Sequence, residues 1–107
     1  MMVENESLLI DRIATLVKSR LQEIDTIEGV VYTFVVPNKQ RSNPSFTVDI
    51  DSPNFIAKIT FWNIGTGQIG VASTLTDEIL FDYNCDIRHE SEVNTHIDKV
   101  FRVMGLK

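Results

Sequence analysis

The chain has 107 residues, 43% hydrophobic and 23% charged, which is typical of one globular domain, so we expect residues 1–107 to form a single domain. Its formal net charge of −5, from 15 acidic and 10 basic residues, argues against nucleic acid or anionic lipid as a partner and suits a cationic partner or simple solubility. One cysteine, an acidic start unlike a secretory signal, and no run of roughly 20 apolar residues predict a cytoplasmic protein without a disulfide or membrane span.

The first predicted element is an amphipathic helix from about Asn5 to Ile24. Its apolar residues recur at the three- and four-residue spacing of one helix face, and Asn5 or Ser7 can cap its start. The apolar stripe consists of Leu9, Ile13, Leu16, Val17, Leu21 and Ile24.

Five strands are predicted after Gly29. The first runs from Val30 to Val36, a polar loop from Pro37 to Pro44 follows, and the last strand runs from about Glu78 to Asn84. The strands after this loop alternate apolar and polar residues, and short turns with proline or glycine separate them, which predicts antiparallel hairpins. The predicted core-side residues are Phe46, Val48, Ile50, Phe55, Ala57, Ile59, Phe61, Ile69, Val71, Ile79, Phe81 and Tyr83.

A second amphipathic helix is predicted near the end of the chain. Ser91 is its expected N-cap, with Glu90 and Glu92 placed to complement the helix dipole, and Gly105 is its expected end. The order helix, five strands, helix predicts an α+β fold: a single antiparallel sheet of about five strands with the N- and C-terminal helices packed on one face.

Strand alternation predicts a second sheet face that neither helix covers. This face combines apolar residues and one tryptophan with several acidic residues around it. Antiparallel sheets often leave one face to water, so Trp62 fits either a binding hot spot or a side chain packed under a loop. The residues predicted to contact a partner are Asp49, Asp51, Lys58, Trp62, Glu78 and Asp82.

The sequence contains no complete catalytic or metal-binding motif. Cys85 and His89 could form a nucleophile and its base, but no oxyanion-hole glycine motif accompanies them, so a buried or edge-strand cysteine is favoured. His89 and His96 lack the further ligands of a zinc site. Asp49 and Asp51, two residues apart on one strand, could serve acid–base chemistry or bind a divalent metal. We expect no catalytic residues, no cofactor and no metal.

One part of the sequence resembles a known family. The segment from Asn43 to Ser52 reads NPSFTVDIDS, and the strand from Phe55 to Trp62 and a turn at Gly65 follow it. These residues resemble the core motif of TriTu-type bacterial immunity proteins, which reads much like NPS-x-x-VD-x-(D/E)S, then I-(A/G)-(R/K)-I-T-x-W. The resemblance extends through residues 77–81, and the chain differs from the family pattern in a longer segment from Asn84 to Glu90.

The resemblance implies a protein that neutralises a toxin. Such proteins look like the antidotes of contact-dependent growth inhibition and other polymorphic toxin systems, and they bind a cognate toxin domain in the producer's cytoplasm. An acidic chain without a cofactor suits a cationic, nuclease-type toxin.

Two other functions stay open at this point. One is a secretion chaperone or adaptor that binds an effector protein, and the other is a small metal-dependent hydrolase that uses Asp49, Asp51 and His89. The protein could be a monomer or a homodimer, because an edge strand such as Val30–Val36 could pair between chains.

Overall fold

A computed structural model of the protein describes residues 9–36, 40 and 42–106. In these ranges, neither helix has the length and apolar character needed to cross a membrane. The predicted α+β fold with five strands between two helices is confirmed. In chain order the elements are α1 (Leu9–Leu21, followed by a 3₁₀ turn, Gln22–Ile24), β1 (Val31–Val35), β2 (Ser45–Asp51), β3 (Phe55–Trp62), β4 (Thr66–Ser73), β5 (Ile79–Asp86) and α2 (Ser91–Met104).

The strands form one antiparallel sheet in the order β1-β2-β3-β4-β5, so each strand pairs with its neighbour in sequence. Short connections favour this arrangement, since two antiparallel strands can be joined by a tight turn. In the β3–β4 turn, Gly65 has a φ of 94°, and a Cβ at this position would lie 3.1 Å from the carbonyl oxygen of Ile87. That turn therefore needs glycine.

The hydrophobic core lies between one side of the sheet and the two helices. Helix α1 packs against β2 and β3, and α2 packs against β3 and β4. The predicted helical stripe of α1 is buried or partly buried, and Ile10 and Ala14 join it. The alternation predicted for the central strands is confirmed, because their buried residues are Phe46, Val48, Ile50, Ala57, Ile59, Phe61, Ile69 and Val71.

The two edge strands are covered by long lysine side chains and not by helix backbone. The ammonium group of Lys18 on α1 lies 5.6 Å from the ring centre of Phe34 on β1. At the other edge, the ammonium group of Lys99 on α2 lies 4.6 Å and 4.5 Å from the ring centres of Phe81 and Tyr83. These distances are typical of cation–π contacts, so a lysine side chain from each helix packs on one edge strand of the sheet.

One arginine joins the two helices. The guanidinium of Arg20 on α1 donates to the carboxylate of Glu23 at 2.9 Å, the side-chain oxygen of Asn94 at 3.0 Å and the carboxylate of Asp98 at 2.6 Å. It also lies 5.4 Å from the ring centre of Phe101. Because the side chain of Arg20 is only 17% exposed, this group stabilises the α1–α2 contact more than a solvated surface ion pair would.

The start of α2 differs from the prediction that Ser91 is its N-cap. Ser91 is the first helical residue, and Glu90 before it makes no capping hydrogen bond with its side chain. The carboxylate of Glu92 instead accepts hydrogen bonds from the backbone N–H groups of His89 at 2.8 Å and Arg88 at 2.9 Å. These two bonds lower the pKa of Glu92, because they favour the ionised carboxylate.

The other predicted boundaries have mixed outcomes. Gly105 ends α2 as predicted, with a φ of 74° and its N–H bonded to the carbonyl of Arg102. The predicted start of α1, with Asn5 or Ser7 as its cap, lies outside the described residues. So do residues 37–39 and 41 of the predicted polar loop.

Candidate functional site

The side of the sheet opposite the helices, here named the open face, is the candidate site. Directly opposed residues of antiparallel neighbours point to the same side, so the side chains of the open face form rows across the strands. Three of these rows contain the charged, apolar and aromatic residues of the candidate site. The central row consists of Thr33, Asp49, Lys58, Gly70 and Asp82. The apolar row consists of Val31, Asp51, Ile56, Ala72 and Ile79, and the tryptophan row consists of Ser45, Trp62, Thr66 and Asp86.

The central row brings together three of the predicted site residues. Asp49 on β2 lies directly opposite Lys58 on β3, and Gly70 on β4 separates Lys58 from Asp82 on β5. Opposed residues of opposite charge attract each other, so Lys58 mainly compensates Asp49. Asp82 has no cation opposite it. Among the described residues, no ion pair within 4.0 Å involves any of these three charged groups.

Gly70 leaves a hollow in the middle of this row. The hollow belongs to a cavity of about 550 Å³ lined by residues of the central and apolar rows. A Cβ at Gly70 would lie 3.7 Å from Oδ1 of Asp82, so this carboxylate borders the hollow. Oδ1 accepts one hydrogen bond, from Nε2 of Gln68 at 3.4 Å, which is longer than the usual 2.7–3.2 Å. The Asp82 carboxylate therefore keeps most of its capacity to accept hydrogen bonds.

The apolar row corrects the prediction that Ile79 faces the core. The pairing of β4 with β5 shifts between Val71 and Ala72, so that Val71 lies opposite Phe81 but Ala72 lies opposite Ile79. Such a β-bulge adds one residue, here Leu80, to one strand. Ile79 consequently lies on the open face and is 70% exposed. Phe81 and Tyr83 pack against the core as predicted.

Exposed apolar side chains thus continue across several strands at this end of the open face. Val31 is 63% exposed and Ile56 is 45% exposed, and Ala72 lies between Ile56 and Ile79. Asp51, at the end of β2, is the one polar member of the row and is exposed. Glu78 lies just before β5, where its carbonyl accepts the N–H of Ser73 at 2.8 Å and its side chain stays exposed.

Trp62 lies on the open face as strand alternation predicts, but at the other end of β3. It is half-buried, with Ser45 and Thr66 opposite it. It lies four positions after Lys58 on β3, which corresponds to about 13 Å along an extended strand. The carboxylate in its own row is Asp86. The structure therefore separates Trp62 from the acidic residues of the central row.

The described charges are distributed unevenly over the molecule. Four carboxylates lie on the open face, those of Asp49, Asp51, Asp82 and Asp86, whereas Lys58 is its one basic residue in the described ranges. An acidic face of this kind attracts cationic surfaces. The other basic residues that the structure describes lie on the helices or in the connection before α2, and they are Arg12, Lys18, Arg20, Arg88, Lys99 and Arg102.

Cys85 and His96 are both partly buried. Burial raises the pKa of the Cys85 thiol, so the thiol form is favoured over the nucleophilic thiolate. Oη of Tyr83 lies 2.7 Å from Nδ1 of His96 between β5 and α2. Burial lowers the pKa of His96, because it disfavours the charged imidazolium. In the described ranges, no group of three or more histidine, cysteine or acidic residues is placed to hold a metal ion.

Sequence reasoning missed three features of this site. The position of Ile79 depends on the bulge, which has no signal in an alternating pattern. Asp86 was outside the predicted end of the last strand, although the alternation from Asp82 continues to it. Alternation along β4 puts Gly70 on the open face, but its sequence position alone does not reveal that the space above it is open.

Comparison with models of known protein families gives one match over most of the chain. A family model described as "Immunity protein TriTu" matches residues 11–103. This range includes all five strands and most of both helices, so it extends well beyond the motif around Asn43–Trp62. No curated protein matches the chain.

Proposed function

Because the chain belongs to the TriTu family of immunity proteins, we propose that it binds a cognate bacterial toxin domain and neutralises it in the cytoplasm of the producing cell. We further propose that it acts by binding and not by catalysis. The family membership supports a role in immunity. The observation that carries the binding proposal is the open face, where apolar side chains lie beside carboxylates that form no ion pair with any described residue.

The composition of the open face supports a protein as the partner. Interfaces combine exposed apolar groups, which gain free energy when they leave water, with polar groups that fix orientation. The exposed apolar groups of the open face are Val31, Ile56 and Ile79. Its polar groups include the carboxylates of Asp49 and Asp82.

The open face is also large enough to form most of a protein–protein interface. Five strands at about 4.8 Å spacing, with five to eight residues at about 3.3 Å each, make a surface roughly 24 Å wide and up to about 26 Å long. That area approaches the roughly 800 Å² that one partner contributes to a standard protein–protein interface. The open face together with its bordering turns can therefore hold a complete binding surface.

The charge of the open face supports a cationic toxin, of the nuclease type. Carboxylates facing a basic surface mainly raise the association rate, whereas a few desolvated contacts determine the dissociation rate. We assign Trp62 to the second group, since a half-buried tryptophan beside polar residues is a typical anchor. The proposed contact residues are Asp49, Asp51, Lys58, Trp62, Glu78, Asp82 and Asp86.

Co-expression with the toxin domain encoded next to this gene tests the proposal. We expect bacteria that express both proteins to grow, and a tagged toxin domain to co-purify with this protein at a fixed stoichiometry. A catalytically inactive toxin domain serves as the binding partner where the active one prevents growth. If the protein neither protects the bacteria nor co-purifies with the toxin domain, the proposed function is wrong.

A further inference from the structure

Gly70 occupies a position where the fold itself does not require glycine. It lies within β4, and glycine in a strand interior lowers stability because it has no side chain to pack and more backbone freedom to lose. Its φ is not positive, so another residue can adopt the same backbone conformation. A Cβ at Gly70 would meet its nearest heavy atoms at 3.7 to 3.9 Å, which are ordinary van der Waals distances.

The surroundings of Gly70 indicate what could fill the hollow. Lys58 lies on one side, and the Asp82 carboxylate borders the hollow on the other. Lys58 has a direct acidic neighbour in Asp49, whereas among the described residues the Asp82 carboxylate has the long hydrogen bond from Gln68 and no ion pair. A group that enters the hollow therefore meets a carboxylate that no described cation neutralises.

The same hollow opens toward the apolar row. Ile56, Ala72 and Ile79 line the cavity beside Gly70, and two of them are largely exposed to water. A small cation alone would leave these apolar side chains exposed to water. A chain segment that carries a cationic residue next to apolar residues would cover them and reach Asp82 at the same time.

We propose that the hollow above Gly70 receives an arginine or lysine side chain from the toxin, which pairs with Asp82 while neighbouring apolar residues of the toxin pack on Ile56, Ala72 and Ile79. This inference rests on the proposed function, since it names the chemistry of the toxin segment. It also places the centre of the interface at Gly70, about 13 Å along the sheet from Trp62.

Filling the hollow without harming the fold provides the test. Gly70→Val adds a β-branched side chain, which suits a strand, so we expect the free protein to be at least as resistant to urea as the wild type. In titration calorimetry with the inactive toxin domain, we expect Gly70→Val to weaken binding by more than about tenfold. Thr95→Val places a valine on the exposed side of α2 and should change affinity by less than about twofold.

Removing the charge tests the second half of the proposal. Asp82→Asn keeps the shape of the side chain, and we expect it to weaken toxin binding by more than about tenfold and to reduce the dependence of affinity on salt. If the wild type binds the toxin but either Gly70→Val or Asp82→Asn binds equally well, the inference is wrong and the proposed function stands. If the wild type itself neither binds nor protects, the proposed function fails and this inference fails with it.

Discussion

Gly67 and Gly70 lie three residues apart on β4, yet the space around them differs completely. A Cβ at Gly67 would lie 2.9 Å from the ring of Phe61 and 3.0 Å from the sulfur of Cys85, whereas one at Gly70 would meet nothing closer than 3.7 Å. Gly67 faces the core and Gly70 faces the open side of the sheet. Packing therefore explains the first glycine but not the second.

This difference predicts opposite effects of alanine at the two positions. Phe61 is fully buried and cannot move aside, so Gly67→Ala should lower the free energy of unfolding by about 1–3 kcal/mol. Gly70→Ala should leave it unchanged or raise it by up to about 1 kcal/mol. Urea unfolding of both variants measures these changes. A larger loss at Gly70 than at Gly67 would contradict the assignment of the two faces.

Arg20 should be the most sensitive polar residue between the helices. Arg20→Ala removes hydrogen bonds to Asn94 and Asp98 and leaves their acceptors without that donor, so we expect a loss of about 2 kcal/mol in the free energy of unfolding. Arg12→Ala removes an ion pair with Glu90 whose side chains are about half exposed, and it should cost less than about 1 kcal/mol. Equal losses in the two variants would show that Arg20 does not join the helices as described.

His96 should make stability depend on pH in the weakly acidic range. Burial holds the pKa of His96 in the folded protein below its ordinary value of 6.5, so the unfolded chain binds more protons as the pH falls. The contribution of neutral His96 to the free energy of unfolding is therefore fully present above about pH 6.5. It decreases as the pH falls through 6.5 toward the lower folded-state pKa. Lys99 also lowers the pKa, and Glu92 opposes the shift.

The melting temperature of wild type and His96→Gln between pH 7.5 and pH 5 measures this contribution. Glutamine does not titrate and can both donate and accept a hydrogen bond with Tyr83, so the variant should lose less stability on acidification than the wild type. All other titrating groups are common to both proteins and cancel in the difference. An identical pH dependence of the two proteins would rule out His96 as a source.

Much of this fold can be predicted from local patterns, because local chemistry determines it. Alternation in β2 and β3 correctly places Phe46 and Phe61 in the core and Asp49 and Lys58 on the open face. Turn residues between the strands predict their antiparallel order. The end of α2 at Gly105 follows from the left-handed backbone that glycine accepts readily.

The features that escape sequence reasoning depend on how neighbouring strands align and on how a connection folds back on the helix that follows it. The bulge opposite Ala72 reverses the face of Ile79, and no pattern within β5 indicates it. At the start of α2, the side chain of Glu92 and not that of Ser91 bonds the backbone, because the connection after β5 brings the N–H groups of Arg88 and His89 to that carboxylate. Strand alternation identifies the residues of the open face, but the position of the hollow at Gly70 depends on which rows align across the sheet.

The most direct test of the central claim compares the two sides of the protein in binding to the inactive toxin domain. We would measure dissociation constants by calorimetry for the wild type, for Asp49→Ala combined with Trp62→Ala on the open face, and for Glu90→Ala combined with Thr95→Ala on the helix side. We expect the open-face variant to bind more than about tenfold more weakly and the helix-side variant to stay within about twofold of the wild type. Unchanged affinity of the open-face variant together with a large loss in the helix-side variant would contradict this expectation.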